Sequence, residues 1–149
     1  MKAMFGDFLK RLTQPDPAPL ADADARLALT ALLVRVARSD NDYAAAEARR
    51  IEDIAAARYG LDATQARELR SEGEALEREA PDTVRFTRAI KDAVAYEERV
   101  GVIEALWQVV LADGKRSDEE NALLRLVASL LGVTDTDSHM ARQRVARDS

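Results

Sequence analysis

The feature that most constrains this chain is an acidic segment between two apolar helical stretches, and it occurs twice. One copy runs from Asp40 to Glu47 and the other from Asp113 to Glu120, with Asp and Glu seven positions apart in each. Aligning the two copies also brings the apolar positions of the preceding stretches into register, so an internal repeat is the simplest explanation. Two copies are too few for a solenoid. The sequence therefore predicts two helix–acidic junction–helix units packed on each other in one bundle, with pseudo-twofold symmetry.

Apolar residues recur at helical spacing along most of the chain, and no alternating strand pattern is present. Gly60 is predicted to end one helix in the left-handed conformation, and Gly132 is predicted to end another helix. A chain of 149 residues is long enough to bury a core within one domain. We predict an all-α fold: a single helical bundle of about seven helices with the internal duplication. The predicted helices span approximately residues 21–38, 43–59, 62–80, 82–94, 96–112, 117–131 and 135–147. Residues 62–65 are predicted to cap the third of these helices, and the acids that dominate its exposed positions are predicted to form a solvated face.

The N-terminal segment differs in character from the rest. Residues 1–20 are predicted to form an amphipathic helix followed by a Pro-rich linker, because apolar residues recur at helical spacing up to Leu12 and three prolines follow. Residues 21–149 are predicted to form the helical domain. The N-terminal helix has two interpretations at this stage: it docks on its own bundle, or it binds a partner or a membrane surface.

Composition excludes several kinds of site. The chain has no cysteine, and its single histidine, His139, lies in the polar C-terminal tail, so a thiolate or multi-histidine zinc site is excluded. Any bound metal would be a hard cation with oxygen ligands, such as Ca²⁺ or Mg²⁺. The net charge of −5 argues against nucleic-acid binding. No apolar run reaches the roughly 20 residues of a membrane span, so the expected location is cytoplasmic.

The two acidic junctions support two interpretations. In the second copy Ser117 and Glu120 have the spacing of a capping box, which satisfies backbone N–H groups at a helix start without any ion. The first copy has Ala44 in place of the serine and yet keeps Glu47, which favours a role beyond capping. Neither copy has the ligand spacing of an EF-hand. The alternative to capping is a divalent-cation site, and its candidate ligands are Asp40, Asp42, Glu47, Asp113 and Glu120.

Catalysis is the least supported class of function. The sequence has no Gly-rich phosphate loop, no Ser-His-Asp set and no Cys-His pair that would activate a nucleophile. We expect a non-enzymatic module that binds protein partners, with no certain cofactor and with modulation by a divalent cation at the junctions. The alternative is a structural adaptor whose acidic residues only cap helices.

The second copy and its flanks resemble the tellurite-resistance TerB family. The resemblance lies in residues 106–114, in Ser117-Asp118-Glu119-Glu120, and in residues 123–128 and 131–133, and with the first copy it covers about residues 26 to 145. It implies an all-helical TerB-like fold, a bacterial setting in the cytoplasm or at the inner membrane, and links to tellurite, metal or envelope stress. It also implies divalent-cation binding through Asp40, Glu47, Asp113 and Glu120. TerB-like domains can precede a J domain in membrane-anchored co-chaperones, but this chain has no His-Pro-Asp tripeptide and cannot act as one alone.

Overall fold

All of the regular structure in the described part of the chain is helical. The computed structural model describes residues 9–10, 22–39, 43, 45–80, 82–112 and 118–148, with side chains for all of these except 22, 112, 118–120 and 148. Within these ranges the all-α prediction is confirmed, and the predicted helix bounds hold to within a few residues. The seven helices of these ranges are α1 (Asp22–Ala37), α2 (Ala45–Tyr59), α3 (Ala63–Glu79), α4 (Thr83–Ala93), α5 (Tyr96–Ala112), α6 (Asp118–Leu130) and α7 (Asp135–Asp148).

The predicted duplication is present in the packing of the helices. α1 packs against α2 in the first copy, as α5 packs against α6 in the second. Between the copies α1 contacts α5, and the contact of α1 with α6 is matched by that of α5 with α2. This reciprocal pattern is what a pseudo-twofold axis through the α1–α5 contact produces.

Each copy extends further along the chain than the sequence indicated. Gly60 and Gly132 have φ values of +66° and +72°, so both end a helix in the left-handed conformation that was predicted for Gly60. Two residues later, Asp62 and Thr134 accept hydrogen bonds from the backbone N–H groups three residues on, at 2.8 and 3.1 Å. The helices that follow, α3 and α7, pack against α1 and α5 respectively. The repeated unit therefore has three helices, and α4 connects the two units.

The core is one apolar cluster to which every helix contributes. α5 has seven buried residues, and they lie on more than one of its faces. The buried side chains of α5 are Val102, Ile103, Ala105, Leu106, Trp107, Val109 and Val110. The prediction of a central helix that is apolar on more than one face is thereby confirmed.

The N-terminal prediction lies almost entirely outside the described residues. Within residues 9–10 the chain is helical, and Leu9 packs against the apolar core. This contact agrees with docking of the segment on its own bundle, one of the two interpretations above. Among the described residues no helix combines the length and the apolar character that crossing a membrane requires.

Thr30 carries a buried hydroxyl that the described residues leave unsatisfied. Its side chain is 1% exposed, and its Oγ1 has no hydrogen-bond partner in that part of the chain. Thr30→Val keeps the shape of the side chain and removes a hydroxyl group that loses its hydrogen bonds to water on folding. We expect the free energy of unfolding to rise by about 1 kcal/mol, measured by urea denaturation.

Thr87 provides the matched control for this substitution. It is equally buried, but its Oγ1 donates to the carbonyl oxygen of Thr83 at 2.5 Å. Thr87→Val should therefore lower the free energy of unfolding by about 1 kcal/mol. The same sign for both variants would contradict the assignment of an unsatisfied hydroxyl to Thr30.

Candidate functional site

Both acidic junctions leave the bundle from the same end. α1 runs parallel to α3, because Thr30 lies against Gly73 and Arg35 pairs with Glu77. α2 runs antiparallel to α3, because Glu52 pairs with Arg70 while Tyr43, just ahead of α2, bonds to Glu74 further along α3. α1 and α2 are therefore antiparallel.

The direction of α5 follows from its contacts with α2. Arg58, at the end of α2, lies against Gly101 in the first half of α5. Residues from the N-terminal half of α2, Arg50 and Asp53, share a groove with residues further along α5. α5 is thus antiparallel to α2 and runs in the same direction as α1. The C-terminal ends of α1 and α5, where the two junctions begin, lie on the same side of the molecule.

The first junction follows the C-terminal end of α1, where the last turn is completed by hydrogen bonds. The backbone N–H groups of Arg38 and Ser39 donate to the carbonyl oxygens of Val34 and Val36, and the Ser39 hydroxyl donates to the Val36 carbonyl at 2.7 Å. The junction ends at α2, where Glu47 lies in the first turn and is 9% exposed. A carboxylate at this position is stabilised by the positive end of the helix dipole. Of the five candidate ligands, Glu47 is the one whose side chain the structure describes, and that side chain is buried.

Tyr43 connects the first junction to α3. Its hydroxyl donates to the Glu74 carboxylate at 2.6 Å, and Arg70 donates to the same carboxylate at 2.8 Å and to Glu52 at 2.6 Å. Burial, and then the hydrogen bond to Glu74, raises the pKa of Tyr43 well above its usual value, so the phenol remains protonated. Tyr43 and Glu74, with Arg38 and Arg78, line an open cleft of about 430 Å³ beside the junction.

The prediction that the acids of α3 form a solvated face holds for Glu68, Glu72 and Glu79, which are exposed, but not for Glu74 and Glu77. Glu77 has a side chain only 13% exposed, and it binds Arg35 of α1 and Arg38, which directly follows that helix. Its carboxylate accepts from Arg35 Nε at 3.2 Å and lies 3.3 Å from Arg38 Nη1, while Arg35 Nη2 also donates to the Glu77 carbonyl at 3.1 Å. Glu74 therefore connects α3 to Tyr43 of the first junction, and Glu77 connects α3 to α1. The sequence signal that points to this pairing is Arg35, a lone charge in the apolar run 31–37 that needs a partner once α1 is buried.

The second junction is described only from its helices. α5 ends at Ala112 and α6 begins at Asp118, so Glu120 lies in the first turn of α6 as predicted. The next residue, Asn121, has a buried Oδ1 without a hydrogen-bond partner among the described residues. A buried side-chain amide oxygen that lacks a hydrogen-bond partner is available to bind a cation or to accept a hydrogen bond.

The predicted cation site therefore stays a prediction. Asp40, Asp42 and Asp113 lie outside the described residues, and Glu120 is described only as part of α6. Glu47 is placed, at the end of the bundle from which both junctions leave. In the part of the chain that the structure describes, no group of three or more His, Cys, Asp or Glu residues is arranged to hold a metal ion.

The fold and its junctions define a class: all-helical proteins built from a duplicated three-helix unit whose first two helices are joined by an acidic segment. Residues 26–143 match the model of the family described as Tellurite resistance protein TerB, and the chain belongs to that family. The matched range begins at Arg26 in α1 and ends in α7, so it covers both copies and α4. A search of curated proteins and a search of solved structures each gave no match.

Proposed function

We propose that this protein is a non-enzymatic interaction module whose two acidic junctions together bind a hard divalent cation such as Ca²⁺ or Mg²⁺. The observation that supports this most is the parallel course of α1 and α5, from which both junctions leave at one end of the bundle. Glu47 is buried at that end, and the unsatisfied oxygen of Asn121 lies in the first turn of α6, the helix that follows the second junction. Hard cations take several oxygen ligands of this kind.

The proposed role is interaction rather than catalysis. The TerB domain is generally a non-catalytic helical domain, and family membership supports a role in the response to metal or tellurite stress. A cation that orders the two junctions would change the surface offered to a protein partner at this end of the bundle. The cation would then act as a regulator of binding.

A second candidate is a structural adaptor in which the junction acids only cap helices. The observation in its favour is that acidic caps occur elsewhere in this chain. Asp62 caps α3 with a complete capping box, and Asp82 accepts from the Arg85 N–H at 3.0 Å at the start of α4. Neither cap requires an ion.

Thermal unfolding of the chelator-treated protein distinguishes the two candidates. Because a ligand that binds only the folded state stabilises it, Ca²⁺, Mg²⁺, Mn²⁺ or Zn²⁺ at a hundred times its Kd should add about 2.7 kcal/mol and raise the midpoint. The Asp40→Asn, Asp113→Asn double variant should lose this rise. If no ion shifts the unfolding midpoint of the wild-type protein, the acidic residues of the junctions only cap helices.

A matched control removes the same charge from elsewhere on the surface. Asp53 and Asp92 are both exposed, on α2 and α4, and neither takes part in an ion pair within the described residues. The Asp53→Asn, Asp92→Asn double variant should keep the full cation-dependent rise. An equal loss in both double variants would indicate general charge screening instead of a site.

A further inference from the structure

A network of hydrogen bonds and ion pairs connects the first junction to α3 and α2. The Tyr43 hydroxyl donates to the Glu74 carboxylate at 2.6 Å. Arg70 donates to the same carboxylate at 2.8 Å and to Glu52 at 2.6 Å. The side chains of Glu52, Arg70 and Glu74 are at most 21% exposed, so solvent screens these interactions less than it would at the surface. Through Glu74 and Arg70, the network joins the junction and α2 to one helix, α3.

Tyr43 lies among the candidate cation ligands along the chain. It directly follows Asp42 and is four residues before Glu47, and consecutive Cα atoms are only about 3.8 Å apart. Glu52 lies five residues beyond Glu47 on α2, which is about 7.5 Å along the helix axis. The network therefore connects the chain to α3 both before and after Glu47.

The second copy has no equivalent of the bond between Tyr43 and Glu74. In the alignment of the two copies, Arg116 takes the place of Tyr43 and Ala146 takes the place of Glu74. An alanine side chain cannot accept a hydrogen bond, so the pair is not repeated. The second unit nevertheless also packs its first helix against the two helices that share its unit. The repeated fold therefore does not require this bond, and its position in the chain points to the first junction.

A residue that holds the junction in place would favour binding of a cation there. Hard cations need several oxygen ligands at defined distances. Ordering those ligands when the ion binds costs conformational entropy. A junction that is already held in the binding arrangement loses less entropy, and its affinity is higher for that reason. A hydroxyl bonded to a carboxylate suits this role, because hydrogen bonds to ionised groups are shorter and stronger than those between neutral groups.

We propose that Tyr43 is a positioning residue for the divalent-cation site: its hydrogen bond to Glu74 holds the first junction in the arrangement that binds the ion. This inference rests on the proposed function and specifies how the first junction is prepared for its ligand. It also assigns the two junctions unequal roles, since the second has no tyrosine that could make the same bond.

Tyr43→Phe tests the proposal because it removes the hydroxyl, keeps the ring and leaves Glu74 paired with Arg70. Ca²⁺ and Mg²⁺ are titrated into the chelator-treated full chain by isothermal titration calorimetry. We expect the variant to raise the Kd of the ion that binds the wild-type protein by about tenfold, since residues that orient metal ligands contribute at least that much to metal affinity.

Tyr96 provides the matched control, because its hydroxyl donates to Asp137 Oδ2 at the same distance, 2.6 Å. It begins α5, and the second junction follows the other end of that helix, about 24 Å away. Both tyrosines are partly buried, so the two Phe variants should lose similar amounts of stability in urea denaturation. Tyr96→Phe should leave the Kd of the cation unchanged. A loss of affinity confined to Tyr43→Phe cannot then be ascribed to lower stability.

A second pair of variants tests whether Tyr43 acts through Glu74. Glu74→Met removes the acceptor of the phenol at nearly constant side-chain length. In this background Tyr43→Phe should change the Kd no further, because both substitutions break the same bond. The two proteins compared have the same net charge, so the lost Glu74 charge does not affect the comparison.

The possible failures of this inference and of the proposed function are distinct. An unchanged Kd in Tyr43→Phe, an equal rise in Tyr96→Phe, or a further rise when Tyr43→Phe is added to Glu74→Met would overturn the role of Tyr43. The proposed function would stand in each of these cases. If neither ion binds the wild-type protein, the inference and the proposed cation site are both wrong.

Discussion

Phe86→Ala is expected to lower the free energy of unfolding by about 4 kcal/mol, because it removes a large ring from a fully enclosed position. Phe86 is 0% exposed and is among the largest fully buried side chains of the described core. It lies on α4, which connects the two copies and packs against α6 and α1. The Arg35 guanidinium stands over the ring at 5.5 Å, so the substitution also removes a cation–π contact.

Urea denaturation followed by circular dichroism measures this loss. Val84 offers the control on the same helix, since it is 38% exposed and Val84→Ala should change the stability by less than about 0.5 kcal/mol. Phe86→Leu, which leaves a smaller cavity, should fall between the two. A loss below about 1 kcal/mol for Phe86→Ala would mean that α4 contributes little to holding the copies together.

The helices and their ends could be predicted because their signals are local. Gly60 and Gly132 end their helices as predicted, and Gly60 has the predicted positive φ, since only a residue without Cβ adopts that conformation at little cost. The capping box of Asp62 and Gln65 could also be predicted from the sequence, because both partners lie within one helical turn. The repeat was visible because both copies keep the same acids and apolar positions.

The contacts between distant residues could not be predicted from such signals. Arg35 and Glu77 are 42 positions apart, and nothing within one helix indicates that their side chains meet. The acids of α3 were therefore interpreted as a solvated face, although Glu74 and Glu77 are each bound by groups from other elements. The third helix of each repeat was predicted as a helix but not as part of the repeat, because α3 and α7 share caps and packing but little side-chain identity.

The candidate cation site was predicted from residues that belong mainly to the junctions. Glu47 lies buried in the first turn of α2. The orientation of the two junctions toward one end depends on the paths of α1, α2 and α5, which the sequence pattern does not contain.

Gly73→Val is expected to lower the free energy of unfolding by about 3 kcal/mol, because α1 and α3 approach too closely at this glycine to accept a side chain. A Cβ at Gly73 would lie 2.9 Å from Cγ2 of Thr30 and 3.3 Å from the backbone nitrogen of Ala31. Neither neighbour is the end of a flexible side chain, so the helices themselves must separate. Alignment of Gly60 with Gly132 places Val145 opposite Gly73, so the substitution copies the residue of the second unit.

The comparison with Gly101 isolates the cause of this loss. Both glycines lie within helices, so Gly→Ala gains the same helix propensity at each, about 1 kcal/mol. At Gly101 the neighbour is the movable Arg58 guanidinium, whereas at Gly73 the neighbours are the branched side chain of Thr30 and the backbone of α1. Gly73→Ala should therefore be destabilising in urea denaturation and Gly101→Ala neutral or stabilising. Equal effects at the two positions would mean that helix propensity, and not the close approach of α1 and α3, determines which residue position 73 tolerates.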